Sequence, residues 1–278
     1  MRGPAIRHDE GMRMTQPTTA RVRRRTGFVH DLCAIAGRAL RQMPRDPVPV
    51  VLAIFVPAFF YTTNIGMFAN LVRQATSVSY KGFLVPMAIA FAVTGTSRAP
   101  VLVTDVAGGY FDRLCMTPVR RSALVLGMMA ADTALIVLLC APVLAIAFGL
   151  GVRFATGAAG VALFVAFAGL WGWAFTGIPY AIALKTGSPA AISASYGLFF
   201  PLFFLSDAVV PRGELAGWYQ AIASYNPITY LVEALRSLIL TGWQPWVLAK
   251  GAIALGALGT VSLSAALVAL RGRTSRSR

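Results

Sequence analysis

The sequence is poor in the residues that carry most enzyme chemistry. Its 278 residues include two histidines, three cysteines and only 10 acidic residues. His8 and His30 both lie near the N-terminus, and Cys33, Cys115 and Cys140 have neither metal-site spacing nor that of a disulfide framework. No G-x-x-x-x-G-K-[ST] motif occurs, so the chain has no P-loop of its own for ATP. We therefore expect no catalytic residue, no metal and no cofactor.

Charge is scarce as well. Charged residues make up 13% of the chain and hydrophobic residues 57%, with a mean hydropathy of +0.68. Soluble domains are about a quarter charged, so this composition indicates an integral membrane protein. The net charge is +15, which can signal a nucleic-acid partner. Here the basic residues collect in the tails and one short loop, as membrane topology requires, and we expect no nucleic acid.

Apolar runs of bilayer-spanning length repeat along the chain. A spanning helix needs about 20 apolar residues, and six runs approach or exceed that length. They are 48–68, 82–103, 122–150, 157–184, 190–210 and 246–270. The predicted fold is an all-α integral membrane protein with six transmembrane helices. Its membrane domain is 28–270, between a disordered basic tail at 1–27 and a second basic tail at 271–278.

The distribution of lysine and arginine predicts the orientation. With both termini in the cytoplasm, the cytoplasmic segments hold 19 of the 25 basic residues. The outer connections hold the other six, which are Arg73, Lys81, Arg153, Arg212, Arg236 and Lys250. We therefore predict a multi-pass protein of the cell membrane with both termini inside.

Residues 28–43 have the pattern of an amphipathic helix. Phe28 and Leu32 fall on one face, and the opposite face is charged. The charged residues are Asp31, Arg38 and Arg41. The segment is too charged to span, so we expect it in the membrane interface with its arginines toward lipid phosphate. The alternative is a polar leader without regular structure.

The segment between the last two spans is too polar to be part of a span and too apolar for a free loop. The stretch "ELAGWYQAIASYNPITYLVEALRSLILTG" has helical periodicity, which Asn226-Pro227 interrupts. We predict two short helices that meet at this dipeptide and dip back into the outer leaflet. Such a re-entrant backbone must be buried in protein or line a wet cavity.

Between the second and third spans lies "GGYFDRLCMTPVRRSALVLGMMAAD", from Gly108 to Asp132. A short amphipathic helix is predicted from Tyr110, with Phe111 and Leu114 on one side. Its charged side carries Asp112 and Arg113, the turn Thr117-Pro118 ends it, and Arg120 and Arg121 mark the entry into the third span. The segment is either a docking element at the membrane surface or an ordinary positive-inside loop.

Two stretches resemble the type-2 ATP-binding-cassette (ABC-2) exporter permeases, especially the daunorubicin-resistance kind. The first is "GYFDRLCMTPVRRSALVLGMMAAD", where a Gly-aromatic-Asp-Arg-Leu run leads to Thr-Pro and then to Ala-Asp. The second is "FFPLFFLSDAVVPRGELAGWYQAIASYNPITYLVEALRSLILTG", which is similar to the end pattern of the same family. The resemblance covers about 28–270. Asp207 departs from it, since that stretch is usually small or apolar in the family.

The resemblance implies a permease subunit of an ATP-driven exporter that pairs with a separate cytoplasmic ATPase subunit. It also implies a second permease chain, usually identical. The segment 110–117 would dock into the ATPase, with Phe111 and Leu114 in an apolar notch. Helix 28–43 would brace the same ATPase, and 185–188 would make a minor contact. The outer gate would be formed around Trp218, Asn226 and Pro227.

The cargo is expected to be lipophilic or amphipathic, such as a drug, an antibiotic or a lipid. Six phenylalanines are candidates to line its route, with plain packing as the alternative: Phe59, Phe60, Phe91, Phe199, Phe200 and Phe204. Asp132 is expected to pair with Arg98 or another polar neighbour. A lipid-linked or polysaccharide cargo is the alternative within the family. The alternatives outside it are a membrane enzyme acting on lipid precursors and a stand-alone channel or ion-driven carrier.

Overall fold

A computed structural model describes residue 37 and residues 47–75, 79–92, 97, 99–109, 121–197 and 199–276. The regular structure within these ranges is helical throughout. The helices are α1 (Pro47–Ala75), α2 (Tyr80–Ala92), α3 (Ala99–Ala107), α4 (Arg121–Gly149), α5 (Gly157–Thr186), α6 (Pro189–Gly197), α7 (Phe199–Phe204), α8 (Gly217–Tyr225), α9 (Pro227–Leu240) and α10 (Pro245–Arg276). A single 3-10 turn, Arg212–Glu214, precedes α8.

Four of these helices are long and apolar enough to cross a membrane. Their candidate spans are Val51–Asn70, Ser122–Gly149, Gly157–Thr186 and Pro245–Gly272. They confirm the predicted helices at 48–68, 122–150, 157–184 and 246–270 to within a few residues. The chain is therefore a multi-pass membrane protein.

The other two predicted spans are not single long helices among the described residues. The predicted span at 82–103 falls on α2 and α3, and that at 190–210 falls on α6 and α7. The hydroxyl of Ser97 accepts a hydrogen bond from the backbone N–H of Ala99 at 3.2 Å, which stabilises the start of α3. The helix α7 ends before Ser206, whose hydroxyl donates a hydrogen bond to the Phe203 carbonyl. The six-span arrangement therefore stays a prediction.

The centre of the bundle is α5, which packs against α2, α3, α4, α6, α9 and α10. It approaches α10 closely at Gly177, where an added Cβ would lie 2.9 Å from the Cβ of Ser262. Small residues at such crossings let two membrane helices approach closely. Helices α4 and α5 are antiparallel, since Gly172 of α5 lies against Ile136, whereas Tyr180, farther along α5, bonds to Asp132, which is earlier in α4.

Buried side chains form two main groups at opposite ends of the bundle. The first group lies toward the turn at 150–156 and includes Phe83, Trp171, Phe203, Leu231 and Leu255. We call this the hairpin end, because α8 and α9 lie there. The second group includes Leu102, Met129, Tyr180, Ile192 and Ala266. We call its end the tail end, because α10 runs from it toward the C-terminus.

Candidate functional site

The helices α8 and α9 form a hairpin that is interrupted at Asn226. Asn226 has extended backbone angles (φ −85°, ψ 122°), and Pro227 is the first residue of α9. Proline is favoured at this position because the missing N–H has no partner within the helix in any case. The break predicted from the sequence is thus present between two short helices. We call α8, Asn226 and α9 the hairpin.

The amide of Asn226 binds the apex of the hairpin to the end of α7. Its Nδ2 donates to the carbonyl oxygens of Leu202 and Leu205, the latter at 3.1 Å. Its Oδ1 accepts the backbone N–H of Ile228 at 2.9 Å and so caps α9. Asn226 is 5% exposed, and this one buried side chain bonds to three backbone groups.

A buried ion pair joins α9 to the segment that follows α7. Arg236 Nη1 lies 3.2 Å from Asp207 Oδ2, and the two side chains are 13% and 2% exposed. Arg236 Nη2 also donates to the Asp207 carbonyl at 3.0 Å, and the guanidinium lies 3.5 Å from the centre of the Phe83 ring. The sequence treated Arg236 only as a charge in an outer connection. The structure shows that Asp207, the departure from the family pattern, is its partner.

A second ion pair fixes the polar side of α8. Arg212 Nη1 lies 3.1 Å from Glu233 Oε1, and its Nη2 donates to the Ser224 hydroxyl at 2.7 Å. Gln220 Nε2 donates to the Arg212 carbonyl at 2.6 Å. Exposed pairs of this kind contribute at most about 1 kcal/mol. Their effect here is to hold the polar side of α8 against the protein.

The last turn of α9 is held as firmly as its first. Thr156 Oγ1 donates to the Leu238 carbonyl at 2.7 Å, and the Ala155 N–H donates to the Ile239 carbonyl at 3.0 Å. The last carbonyls of a helix have no partner within the helix and must find one elsewhere. The turn at 150–156 supplies that partner, so α9 is fixed at both ends.

The middle of α9 lies beside two candidate spans. An added Cβ at Gly251 in α10 would lie 2.7 Å from the Cβ of Ala234 and 3.1 Å from Cε1 of Phe167. Phe167 follows the first residue of α5 by ten residues, which is about 15 Å along a helix. Residues 230–234 of α9 therefore lie well inside the length of the bundle.

The six candidate phenylalanines divide into two groups. Phe91 and Phe199 are 2% and 0% exposed and belong to a packed aromatic cluster. In this cluster the ring centres of Phe91 and Phe203 lie 4.4 Å apart. Phe60 stacks on Phe91 at 4.9 Å. The outward-facing group is Phe59, Phe200 and Phe204, at 51%, 43% and 51% exposed. The sequence did not single out Phe203, because the run "FFPLFF" has no periodicity that separates an inner from an outer face.

Asp132 lies in the other half of the bundle and is completely buried. Its Oδ2 accepts a hydrogen bond from the Tyr180 hydroxyl at 2.9 Å, and both residues are 0% exposed. This confirms the expectation of a polar neighbour, and it identifies that neighbour as a tyrosine on α5. Arg98, the other expected partner, lies outside the described residues.

The remaining predicted site residues are placed as follows. The docking segment 110–117, Pro118 and Arg120 lie outside the described residues, as do Asp31, Arg38 and Arg41, and Arg121 is the first residue of α4. Trp218 is 66% exposed on α8, away from Asn226 and Pro227 at the apex. In the described part of the chain, no three His, Cys, Asp or Glu side chains form a group that could hold a metal ion. What the arrangement does is hold a helical hairpin against the bundle.

Comparison with known proteins gives matches to membrane permeases. The family model for "ABC-2 type transporter" matches residues 30–240. The "Probable doxorubicin resistance ABC transporter permease protein DrrC" of Mycobacterium tuberculosis is 24% identical over 217 residues, 77% of this chain and 79% of that protein. The "Daunorubicin resistance ABC transporter permease protein DrrB1" of Streptomyces coeruleorubidus is 27% identical over 209 residues, 73% of this chain and 72% of that protein. The "Putative transport permease ycf38" of Cyanophora paradoxa is 26% identical over 228 residues, 76% and 74% respectively.

Proposed function

The chain belongs to the ABC-2 type transporter family, and we propose that it is the permease subunit that exports a lipophilic or amphipathic compound across the cell membrane. The observation that carries this proposal is the family match over 30–240 together with four membrane-length helices. Two relatives have names that refer to resistance to doxorubicin and daunorubicin. We extend that role to this chain as drug or antibiotic efflux.

The energy comes from a separate cytoplasmic ATPase subunit, and the support for this is the match to the ABC-2 type transporter family. That subunit binds the segment 110–117 through Phe111 and Leu114, and Asp112 and Arg113 fix its register. Helix 28–43 braces the same subunit. Support for this mechanism comes from α4, a 29-residue helix whose first residue, Arg121, is four residues beyond the end of the docking segment at 117. A rigid helix in that position carries a displacement of the segment into the bundle.

The permease domain, 28–270, crosses the membrane six times with both termini in the cytoplasm. Two observations support the two incomplete spans. The Tyr80 hydroxyl at the start of α2 binds the Val209 carbonyl after α7, at 3.3 Å. Leu102 of α3 and Ile192 of α6 belong to the core of the opposite end. The pair α2 and α3 and the pair α6 and α7 therefore each reach from one end of the bundle to the other.

The hairpin is the outer gate and re-enters the membrane from outside. A backbone interrupted within a membrane is stable only when its polar groups are satisfied by protein or water. At the interruption Asn226 accepts the Ile228 N–H, and it donates to the Leu202 and Leu205 carbonyls at the end of α7, while Arg236 binds the Asp207 carbonyl. This satisfaction of the polar groups supports a buried position for the apex.

A second, identical permease chain completes the transporter. The candidate span of α1 is 17% buried within one chain, whereas that of α5 is 56% buried. The open face of α1 carries Leu52, Phe55 and Phe59. This exposed face of α1 is available for a second chain. The outward-facing Phe200 and Phe204 suit an apolar cargo.

The test is to isolate the tagged permease from its native membrane and identify a co-purifying P-loop protein. Inside-out vesicles that contain both proteins should accumulate a hydrophobic dye when ATP is added, and vesicles with the permease alone should not. Assembly without dye uptake would favour a lipid-linked or polysaccharide cargo. Accumulation by the permease alone, driven by an ion gradient, would overturn the proposal in favour of a carrier.

A further inference from the structure

The helix α8 is amphipathic in the opposite sense to a surface helix in water. Trp218, Ile222 and Tyr225 follow one another at helical spacing and are 66%, 42% and 90% exposed. The other side of the helix holds Gln220 and Ser224, which are bonded to Arg212. We call Trp218, Ile222 and Tyr225 the aromatic face.

The polar side of α8 cannot exchange places with the aromatic face. The Ser224 carbonyl accepts a hydrogen bond from the Tyr230 hydroxyl at 2.6 Å, and the Ser224 hydroxyl accepts one from Arg212 at 2.7 Å. Turning the helix would break these bonds, so the aromatic face stays on the side away from the protein. The medium that touches this face must therefore accept large apolar side chains.

The aromatic face lies at the end of the bundle where a membrane boundary is marked independently. Val209, three residues before Arg212, is bonded to Tyr80 at the start of α2, so α8 begins at the hairpin end. At the same end Trp243 and Trp246 are 54% and 70% exposed, on either side of Pro245, the first residue of a candidate span. Tryptophan and tyrosine collect at the headgroup level of bilayers, where an apolar ring and a polar atom are both accommodated.

The charge at this end fits lipid phosphate. Among the described residues, Lys81, Arg153 and Lys250 are exposed there, against one exposed acidic residue, Glu214. The Lys250 ammonium lies 5.3 Å from the centre of the Trp246 ring, so a cation and an interfacial aromatic are adjacent. Basic residues beside apolar rings are typical of surfaces that bind anionic headgroups.

From these observations we propose that the aromatic face of α8 binds the lipid at the outer headgroup boundary and anchors the gate hairpin to the bilayer. This rests on the proposed function, which gives the hairpin end its outer orientation. The aromatic face sets the depth of α8, and the bonds of Arg212 and Asn226 transmit that depth to α9. The lipid is then a binding partner of the gate as well as the solvent of the spans.

The experiment uses the permease with its ATPase in vesicles of ordinary lipid and of lipid brominated near the headgroup. Bromine quenches nearby tryptophan, so the part of the emission that Trp218→Phe removes should be largely lost in brominated vesicles. Trp171→Phe is the control, because Trp171 is 1% exposed and its emission should not be quenched. A second reporter, Tyr225→Trp in the Trp218→Phe background, should be quenched as well.

Trp218 emission that brominated lipid leaves unchanged would overturn the proposal. So would efficient crosslinking of two Ile222→Cys chains, since a second copy would then cover the face. The quenching does not depend on transport. If Trp218 is quenched in a complex that exports nothing, the lipid-binding face stands and the exporter function is rejected. If the complex exports and Trp218 is not quenched, only the lipid-binding face is rejected.

Discussion

Asp207 and Arg236 lie 29 residues apart in the sequence and form a buried ion pair, with Oδ2 and Nη1 3.2 Å apart. Taking two charges out of water costs free energy, which their attraction offsets only when the geometry is good and other hydrogen bonds are present. Arg236 meets this condition through the carbonyls of Asp207, Ala208 and Phe83, whereas the other carboxylate oxygen of Asp207, Oδ1, is buried without a hydrogen bond among the described residues.

Removing one partner should therefore cost more than removing both. We expect Asp207→Ala to lower the free energy of unfolding by about 3–5 kcal/mol, because it leaves the Arg236 guanidinium buried without a counter-charge. The double variant Asp207→Ala, Arg236→Met should recover a large part of that loss. Denaturant unfolding of the purified permease measures both. Strictly additive losses would show that the two charges do not interact.

Asn226→Ala should detach the apex of the hairpin. The capping bond to Ile228 contributes about 1 kcal/mol, and each carbonyl left unsatisfied after burial costs a further 1–3 kcal/mol. Asn226→Asp is the matched variant, because it keeps the cap and loses the two donor bonds to Leu202 and Leu205. We expect protease cleavage between α8 and α9 to rise in both variants. Protection of the aspartate variant equal to wild type would mean that the cap alone holds the apex.

The long spans were predictable because a run of about 20 apolar residues is local information. The helices α1, α4, α5 and α10 agree with their predicted ranges to within a few residues at most ends. The helix break at Asn226 was equally predictable, because asparagine before proline is a helix-start signal. These features need no knowledge of the rest of the chain.

The contacts that hold the hairpin were not predictable in the same way. Arg236 looked like one more basic residue of an outer connection, because its partner Asp207 is distant in sequence. Arg212 and Glu233 are likewise brought together only when α8 and α9 fold back on each other. Asp207 was recognisable as unusual, but nothing in the local sequence around it indicates which cation it meets.

A matched pair of glycines in α10 tests the packing of the hairpin against the last span. Gly251→Ala should lower the free energy of unfolding by about 1–3 kcal/mol, because its Cβ would lie 2.7 Å from the Cβ of Ala234 and 3.0 Å from the Tyr230 carbonyl. Gly256→Ala should be neutral or slightly stabilising, since nothing lies within 4 Å of its added Cβ. Equal effects of the two substitutions on the thermal midpoint would contradict this packing.

The docking segment is tested by a charge reversal. Asp112→Lys should reduce co-purification of the ATPase and abolish ATP-driven export, while the permease remains inserted in the membrane. Arg2→Ala, which changes one charge in the N-terminal tail, is the control and should leave both unaffected. Export at the wild-type rate by the Asp112→Lys variant would argue against docking at this segment.

Three hydrogen bonds join the turn at 150–156 to the last turn of α9, since the Thr156 hydroxyl and N–H both donate to the Leu238 carbonyl and the Ala155 N–H donates to that of Ile239. These bonds bear on how the topology of this protein can be mapped. Because this turn connects two candidate spans, it would be a natural site for inserting an epitope or a reporter. An insertion there would separate Thr156 from the Leu238 carbonyl and displace the gate that the reporter was meant to leave intact.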